Sequence, residues 1–563
     1  MTRHSGTRWW IAGQLLPLAL LLPTGFGLLG VLLPTFGFHP GLNETGFSLQ
    51  AINALTGDPS FGQAIWTTLI SGLGGAFLSV GAAFGFCASI YHTPWFKRLR
   101  APLSAALALP HVSFAVGFAF LLAPSGFLAR LISPEISGWQ QPPDFLIVGD
   151  PWALCLLIGL ALKETLFLVL MIISALGQVR ADAMVRTAQS YGYGPVRAFM
   201  LIIAPQIYRQ IRIPISAVIA SSVGSIDLAL VLGPSAPPTL AVLVLNWFGD
   251  FDLELQFQAA AGASTLLLIS LVAIGIWDVL ERLTGQLGRL WIWSGRRSGW
   301  ADIAIAAFGQ SVAGLSLFAS LLSVLVLLIW SFAGQWQWPE ALPMSWSLSH
   351  WGSSMAAIIK LSVTTIGLAC ISTLLALILC LIALEARDKG GRSRPQILPL
   401  LPLLLPQASF LFGVTILWSA LHWDGSVAIV IWTHLLFVGP YIYLSLHGPF
   451  QALDPRSALT ARTLGKTRWA TFLEVKIPLL FRPIVTAAAI GFSVSVTLYL
   501  PTLVAGAGRI STLATETLAL ASGGDRKTLG VIAISLTVLP FLALLASLGL
   551  SDFVATRRKG LLI

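Results

Sequence analysis

Long apolar runs alternate with short polar connectors along the whole chain. The runs fall near 11–34, 64–90, 103–124, 152–177, 213–233, 258–278, 303–333, 354–384, 397–420, 427–449, 482–503 and 528–550. A helix of about 20 residues crosses a hydrocarbon core of roughly 30 Å, where every backbone N–H and C=O must be paired within its own element. Twelve spans are therefore expected, and the fold class expected is an all-α polytopic membrane protein. Period-two alternation is missing, which argues against a β-barrel. The run from Ile11 follows Arg3 and Arg8 as a signal peptide would, but no small-x-small cleavage site comes after it, so it reads as the first span.

Composition agrees. Of 563 residues, 56% are hydrophobic and 10% charged, against roughly 25% charged in an average soluble domain. The net charge of +10 would suggest nucleic acid in a soluble chain, but its distribution says otherwise. Lys and Arg concentrate at both termini and in the loops 91–102, 178–212, 279–302, 385–396 and 450–481, whereas the alternate loops carry only Arg130, Arg509, Arg526 and Lys527. Positively charged loops stay in the cytoplasm. Both termini are thus expected there, while Asp144, Asp150, Asp250, Asp252 and Glu254 lie outside. The basic charge reads as topology and no nucleic-acid partner is expected. Cys87, Cys155, Cys370 and Cys380 stand in apolar runs without metal-ligand spacing and read as small buried hydrophobes.

One connector occurs twice. Arg186 to Pro205 reads RTAQSYGYGPVRAFMLIIAP and Leu459 to Pro478 reads LTARTLGKTRWATFLEVKIP; Thr187/Thr460, Ala188/Ala461, Gly192/Gly465, Phe199/Phe472 and Pro205/Pro478 are each 273 positions apart. PHVSFAVG from Pro110 and PQASFLFG from Pro406 repeat at an offset of 296. The chain therefore reads as two tandem six-span halves, 1–290 and 291–563, with the same orientation and a pseudo-symmetry axis along the membrane normal. Their join carries Glu281, Arg282, Arg289, Arg296 and Arg297, with Trp291, Trp293 and Trp300 expected at the interface. In each connector the glycine supplies a sharp turn between helices, the small residues before it admit a close surface, and the proline limits the helix ahead of the next span.

This spacing resembles the loop signature of permease subunits in binding-protein-dependent ABC importers, E-A-A-x-x-x-G, nine residues, I-x-L-P. Ala188, Gly192, Ile202 and Pro205 match it, as do Ala461, Gly465 and Pro478, with Val475 at the isoleucine place. Both copies depart at the acidic position, Arg186 and Leu459, and Thr187 and Thr460 replace the first alanine. The whole chain looks like the fused permeases of ferric-iron, thiamine and putrescine-type importers, a likeness to which STLATETLALASGGDRKTLG from Ser511 adds. The resemblance implies two type I-like permease domains, each with a coupling helix seated in a groove of a separate ATPase subunit. It also implies two such subunits, an extracytoplasmic solute-binding protein and a place in the bacterial inner membrane, with no cofactor on this chain. With the acid missing, Arg197 and Arg468 are the candidates for the grip on the ATPase.

Gly465, Lys466 and Thr467 mimic the end of a phosphate-binding loop, but Thr460 stands where its first glycine belongs and no strand leads into it. ATP binding is not expected of this chain, nor catalysis. Lys163, Glu164 and Asp227 fall within spans, where ionisable groups are costly and face an interior or a cavity. Glu164 and Asp227 are transport-path candidates, with His434 a polar counterpart in the other half; Lys163 reads as a helix lock. An ion-coupled secondary transporter of two six-helix halves is the alternative, and a polytopic enzyme a weaker one, since Asp250, Asp252 and Glu254 form the only acidic cluster.

Overall fold

A computed structural model describes residues 2–39, 44, 46–293, 295–388 and 398–557. Lys389, Arg392, Arg394, Arg558 and Lys559, on which part of the inside assignment rests, lie outside the described residues. The apolar runs become helices: α1 (Thr2–Thr35), α2 (Phe61–Ile90, with a π turn at Leu69–Leu73), α3 (Arg100–Ala108), α4 (His111–Leu122), α5 (Leu154–Leu176), α6 (Ala181–Ser190), α7 (Ala204–Val223) and α8 (Leu255–Trp293). The second half supplies α9 (Trp300–Phe332), α10 (Ser349–Arg387), α11 (Ala408–Ala420), α12 (Val427–Gln451), α13 (Pro455–Thr463), α14 (Phe481–Thr497), α15 (Leu500–Ala505) and α16 (Arg526–Arg557). Among the described residues extended pairing is limited to two isolated bridges, His39 with Glu44 and Ala333 with Trp346. The protein is an all-α polytopic membrane protein.

Nine helices among the described residues are long and apolar enough to cross a membrane, or up to eleven spans if each of two bent pairs counts as one. The shortfall from twelve has local causes. The run 213–233 is α7, whose first half carries Arg209 and Arg212 and which stops at Gly224, before a short helix at Ala229–Leu232. The run 397–420 is a 3-10 segment at Leu398–Leu404 that turns by 108° into α11 across Pro406. Pro110 likewise separates α3 from α4. Cys87, Cys155 and Cys380 are buried as expected, whereas Cys370 is exposed.

Between apolar helices in lipid the hydrophobic effect gives little direction, and association rests on close packing at small residues. That packing exchanges the first helix of each half. α1 lies against α10 and α11 as well as α8, while α9 lies against α2, α4 and α5 as well as α16. The repeated Pro-x-x-Ser-Phe-x-x-Gly motif explains where. A Cβ on Gly413 would stand 1.9 Å from the Gly27 carbonyl oxygen, and one on Gly117 would stand 2.6 Å from that of Ser323. Gly27 and Ser323 are 296 positions apart, as are Gly117 and Gly413. The same crossing is thus built twice, each time between a motif glycine and the first helix of the other half.

Candidate functional site

The two repeated connectors have the same backbone. α6 closes with Tyr193 N donating to Ala188 O at 3.1 Å and Gly192 N to Gln189 O at 2.8 Å; α13 closes with Lys466 N to Ala461 O at 3.1 Å and Gly465 N to Arg462 O at 3.0 Å. This 6→1 and 5→2 pairing needs a left-handed residue after the helix. Gly192 (φ +85°) and Gly465 (φ +86°) provide it. A four-residue helix follows, Pro195–Ala198 or Arg468–Thr471, then a π turn, Phe199–Ile203 or Phe472–Lys476, and then the proline. The turn has a reason. A proline inside a helix lacks an N–H and crowds the carbonyl four residues back, here Leu201 or Glu474, and widening that turn relieves both demands. The helix therefore runs through Pro205 into α7, which corrects the expectation that this proline limits it. Past Pro478 it stops at Leu479, and the chain bends by 77° into α14.

Exposure sorts the loop residues. Arg186, Thr187, Leu459 and Thr460 are exposed. Ala188 and Ala461 are buried against their own returning segments, so these small residues admit the loop itself rather than a foreign surface. Arg197 corrects the sequence reading more sharply: it is 2% exposed and bound to Asp302, so it faces inward instead of gripping a partner. Arg468 is half-buried against Glu385. What reasoning from the acidic position missed is the residue just before each glycine. Tyr191 is 66% exposed and Leu464 78%, again 273 positions apart. A large apolar residue at the same place in both copies was the available signal. The phosphate-loop mimic dissolves into local structure, because Thr467 Oγ1 accepts Ala470 N at 3.2 Å as a helix cap and Lys466 pairs with Glu474.

No family model matches the chain. It is 32% identical over 515 residues to the inner membrane ABC transporter permease protein YnjC of Escherichia coli (strain K12), covering 91% of this chain and 93% of that protein. The chain belongs to the inner membrane ABC transporter permeases. Over 106 residues it is 30% identical to the molybdate/tungstate transport system permease protein WtpB of Thermococcus kodakarensis, 19% of this chain and 42% of that protein. Over 205 residues it is 25% identical to the putative 2-aminoethylphosphonate transport system permease protein PhnV of Salmonella paratyphi A, 35% of this chain and 76% of that protein. This permease is thus a transporter subunit and not an enzyme, and a multi-pass inner membrane protein.

The polar groups inside the permease divide into spent and unspent. Lys163 Nζ donates to the carbonyls of Leu109 at 2.5 Å and Ala106 at 3.3 Å, closing the C-terminal end of α3 where a cation suits the helix dipole. It is the helix lock expected. His434 is a knot rather than a free ligand: Nδ1 meets Ser495 Oγ at 2.8 Å and Nε2 meets Thr502 Oγ1 at 2.9 Å, and Ser495 reaches Ser372 at 3.1 Å. Both ring nitrogens are occupied, and α10, α12, α14 and α15 are tied together. Glu164 is buried on α5, and Asp227 keeps some accessible surface in the break between α7 and Ala229–Leu232. Neither carboxylate has a hydrogen bond or ion pair among the described residues. The expected acidic cluster serves local turns, with Asp250 Oδ1 accepting Asp252 N at 3.0 Å and Asp252 Oδ1 accepting Glu254 N at 2.9 Å.

Proposed function

We propose that this permease forms the whole translocation path of an importer, with residues 1–290 and 291–563 as its two six-span domains and the solute passing between them. A separate ATPase subunit sits on each repeated loop, and an external binding protein delivers the solute. The observation that carries this reading is the pair of loops 178–212 and 450–481, alike in backbone from the left-handed glycine through the π turn and each presenting a large apolar side chain just before that glycine, Tyr191 or Leu464. A fused chain with two such seats calls for two ATPases.

The seats are apolar rather than acidic: Tyr191 and Leu464 enter the ATPase groove, while Arg197 and Arg468 brace the loops from behind. Both loops and both termini are cytoplasmic in this reading, which the charge bias of the connectors supports. Glu164 and Asp227, the unspent interior carboxylates, line the path. The named cargoes of the shorter matches, molybdate or tungstate for one and 2-aminoethylphosphonate for the other, supply no single solute class for this protein. Affinity purification of the tagged permease from its native membrane tests the reading by subunit ratio. Two ATPase chains per permease chain are expected; recovery as a complete transporter without an ATPase would refute it.

A further inference from the structure

Alike in backbone, the two loops are bolted down by ionic contacts that they do not share. In the first, Arg197 Nε donates to Asp302 Oδ1 at 3.2 Å. Asp302 lies in the first turn of α9, where its Oδ2 also accepts Gly299 N at 2.9 Å and so caps that helix. The join between the halves is stitched to the same point: Arg197 Nη1 donates to Arg296 O at 2.5 Å, Gly194 N donates to Arg297 O at 2.9 Å, and the guanidinium stacks 4.8 Å from the ring centre of Trp291. In the second loop the hub is Glu385, 1% exposed at the end of α10. Its Oε1 accepts Arg468 Nε at 3.1 Å and its Oε2 accepts Lys476 Nζ at 2.5 Å, while Lys476 also reaches Asp388 Oδ2 at 2.5 Å.

These contacts are not interchangeable between copies. Ala470 stands 273 positions from Arg197, Pro195 from Arg468 and Ile203 from Lys476. Nor are they economical ways to hold a fold together, since desolvating two ions offsets most of their attraction. What a buried pair does supply is a fixed geometry that cannot slip without stranding a charge. Each one here fixes a loop to a span remote from it in sequence. The first bridges the halves: its loop belongs to residues 1–290, and α9 belongs to 291–563 while packing on α2, α4 and α5.

We infer that the Arg197–Asp302 pair and the Glu385 hub are positioning contacts that carry displacement of the two loops to α9 and α10 respectively, so that both loops drive spans of the second half. The first loop acts across the seam and the second acts within its own half. This rests on the loops being ATPase seats, as proposed above. The two strokes are consequently unequal, and each can be disabled by itself.

The test uses the permease with its native ATPase in lipid nanodiscs, its own cysteines replaced, and spin-label pairs at Gln335 with Glu254 to follow α9 and at Ser349 with Glu254 to follow α10. Trapping with ATP and vanadate is expected to change both distances in the parent complex. Asp302→Asn and Arg197→Met should cut the α9 change at least threefold while leaving the α10 change, Glu385→Gln should do the opposite, and Arg197→Lys should retain both. A contact that only stabilised the fold would lower the yield of complex without redistributing motion between the two spans. Parent-like changes in all three neutralised variants, loss of both changes together in each, or no change in the parent complex would overturn the inference. Failure of the parent permease to bind any ATPase would instead remove the importer reading beneath it.

Discussion

At the scale of single residues, two left-handed glycines and the side chains before them shape both loops. A Cβ at Gly465 would meet no atom within 4 Å, so a substitution there costs only its backbone conformation, about 1–2 kcal/mol for an ordinary L-residue. Gly465→Val is therefore expected to insert normally but to disturb the seat and lower ATP-dependent turnover of the complex, whereas Gly465→Asn, which tolerates that conformation, should keep most of it; equal turnover in the two variants would count against the role of the turn. Gly192 is less free, because a Cβ there would press on Arg297 Nη1 at 3.1 Å. A second prediction concerns the exposed knobs. Tyr191→Ser and Leu464→Ser remove side chains of residues that are 66% and 78% exposed, so the thermal midpoint should move little, as for most surface substitutions, while pull-down of the ATPase falls at least tenfold in the double variant. The glycines were legible in the sequence because a left-handed turn accepts few residue types and leaves its mark at fixed spacing. The partners of Arg197 and Lys476 were not. Asp302 is 105 residues from Arg197 and Glu385 is 91 from Lys476, and a charge carries no address for its counter-ion.

At the scale of helices, hydropathy located nearly every span because lipid imposes the same length and apolarity on each. It did not register bends. The run through Pro406 reads as one continuous span by composition, yet the missing N–H and the fixed φ of its prolines turn the chain by 108°. Gly224 similarly divides a run that hydropathy joins into one span despite Ser221, Ser222, Ser225 and Asp227. Helix crossings are legible only as glycines, and their severity shows once the neighbour is known. At Gly413 the obstructing atoms are backbone of α1, the Gly27 carbonyl oxygen at 1.9 Å, so no rotamer change makes room. Gly413→Leu should force α1 from α11 and destabilise the permease by the 1–3 kcal/mol typical of overpacking, or more. Gly314→Leu on α9, where a Cβ meets nothing within 4 Å, serves as the matched control. A thermal-unfolding series in detergent separates them, and equal midpoints would show that the crossing yields.

At the scale of the whole molecule the exchange of first helices decides how the halves depend on each other. The repeat offset reads as two similar halves, but nothing in an apolar face says which other apolar face it meets, so the packing of α1 on α10 and α11 and of α9 on α2, α4 and α5 was not legible in the sequence. Each half then lacks a wall that the other provides. Residues 1–290 alone would leave the face of α4 at Gly117 open to lipid, with Arg197 deprived of Asp302; residues 291–563 alone would leave Gly413 uncovered and the polar knot at His434 without the nearby packing of α1. An unpaired buried guanidinium is worth several kcal/mol of instability by itself. Neither fragment should therefore accumulate when expressed singly. Expressed together as separate chains, the two have every inter-half contact available except the covalent join between 290 and 291, which lies within α8. The expected result is that 1–290 and 291–563 copurify as a one-to-one complex with a lowered thermal midpoint, and that Gly413→Leu in the second fragment abolishes recovery of the first. Stable accumulation of either fragment alone would mean that the exchanged helices are ornaments of the packing rather than walls of each half.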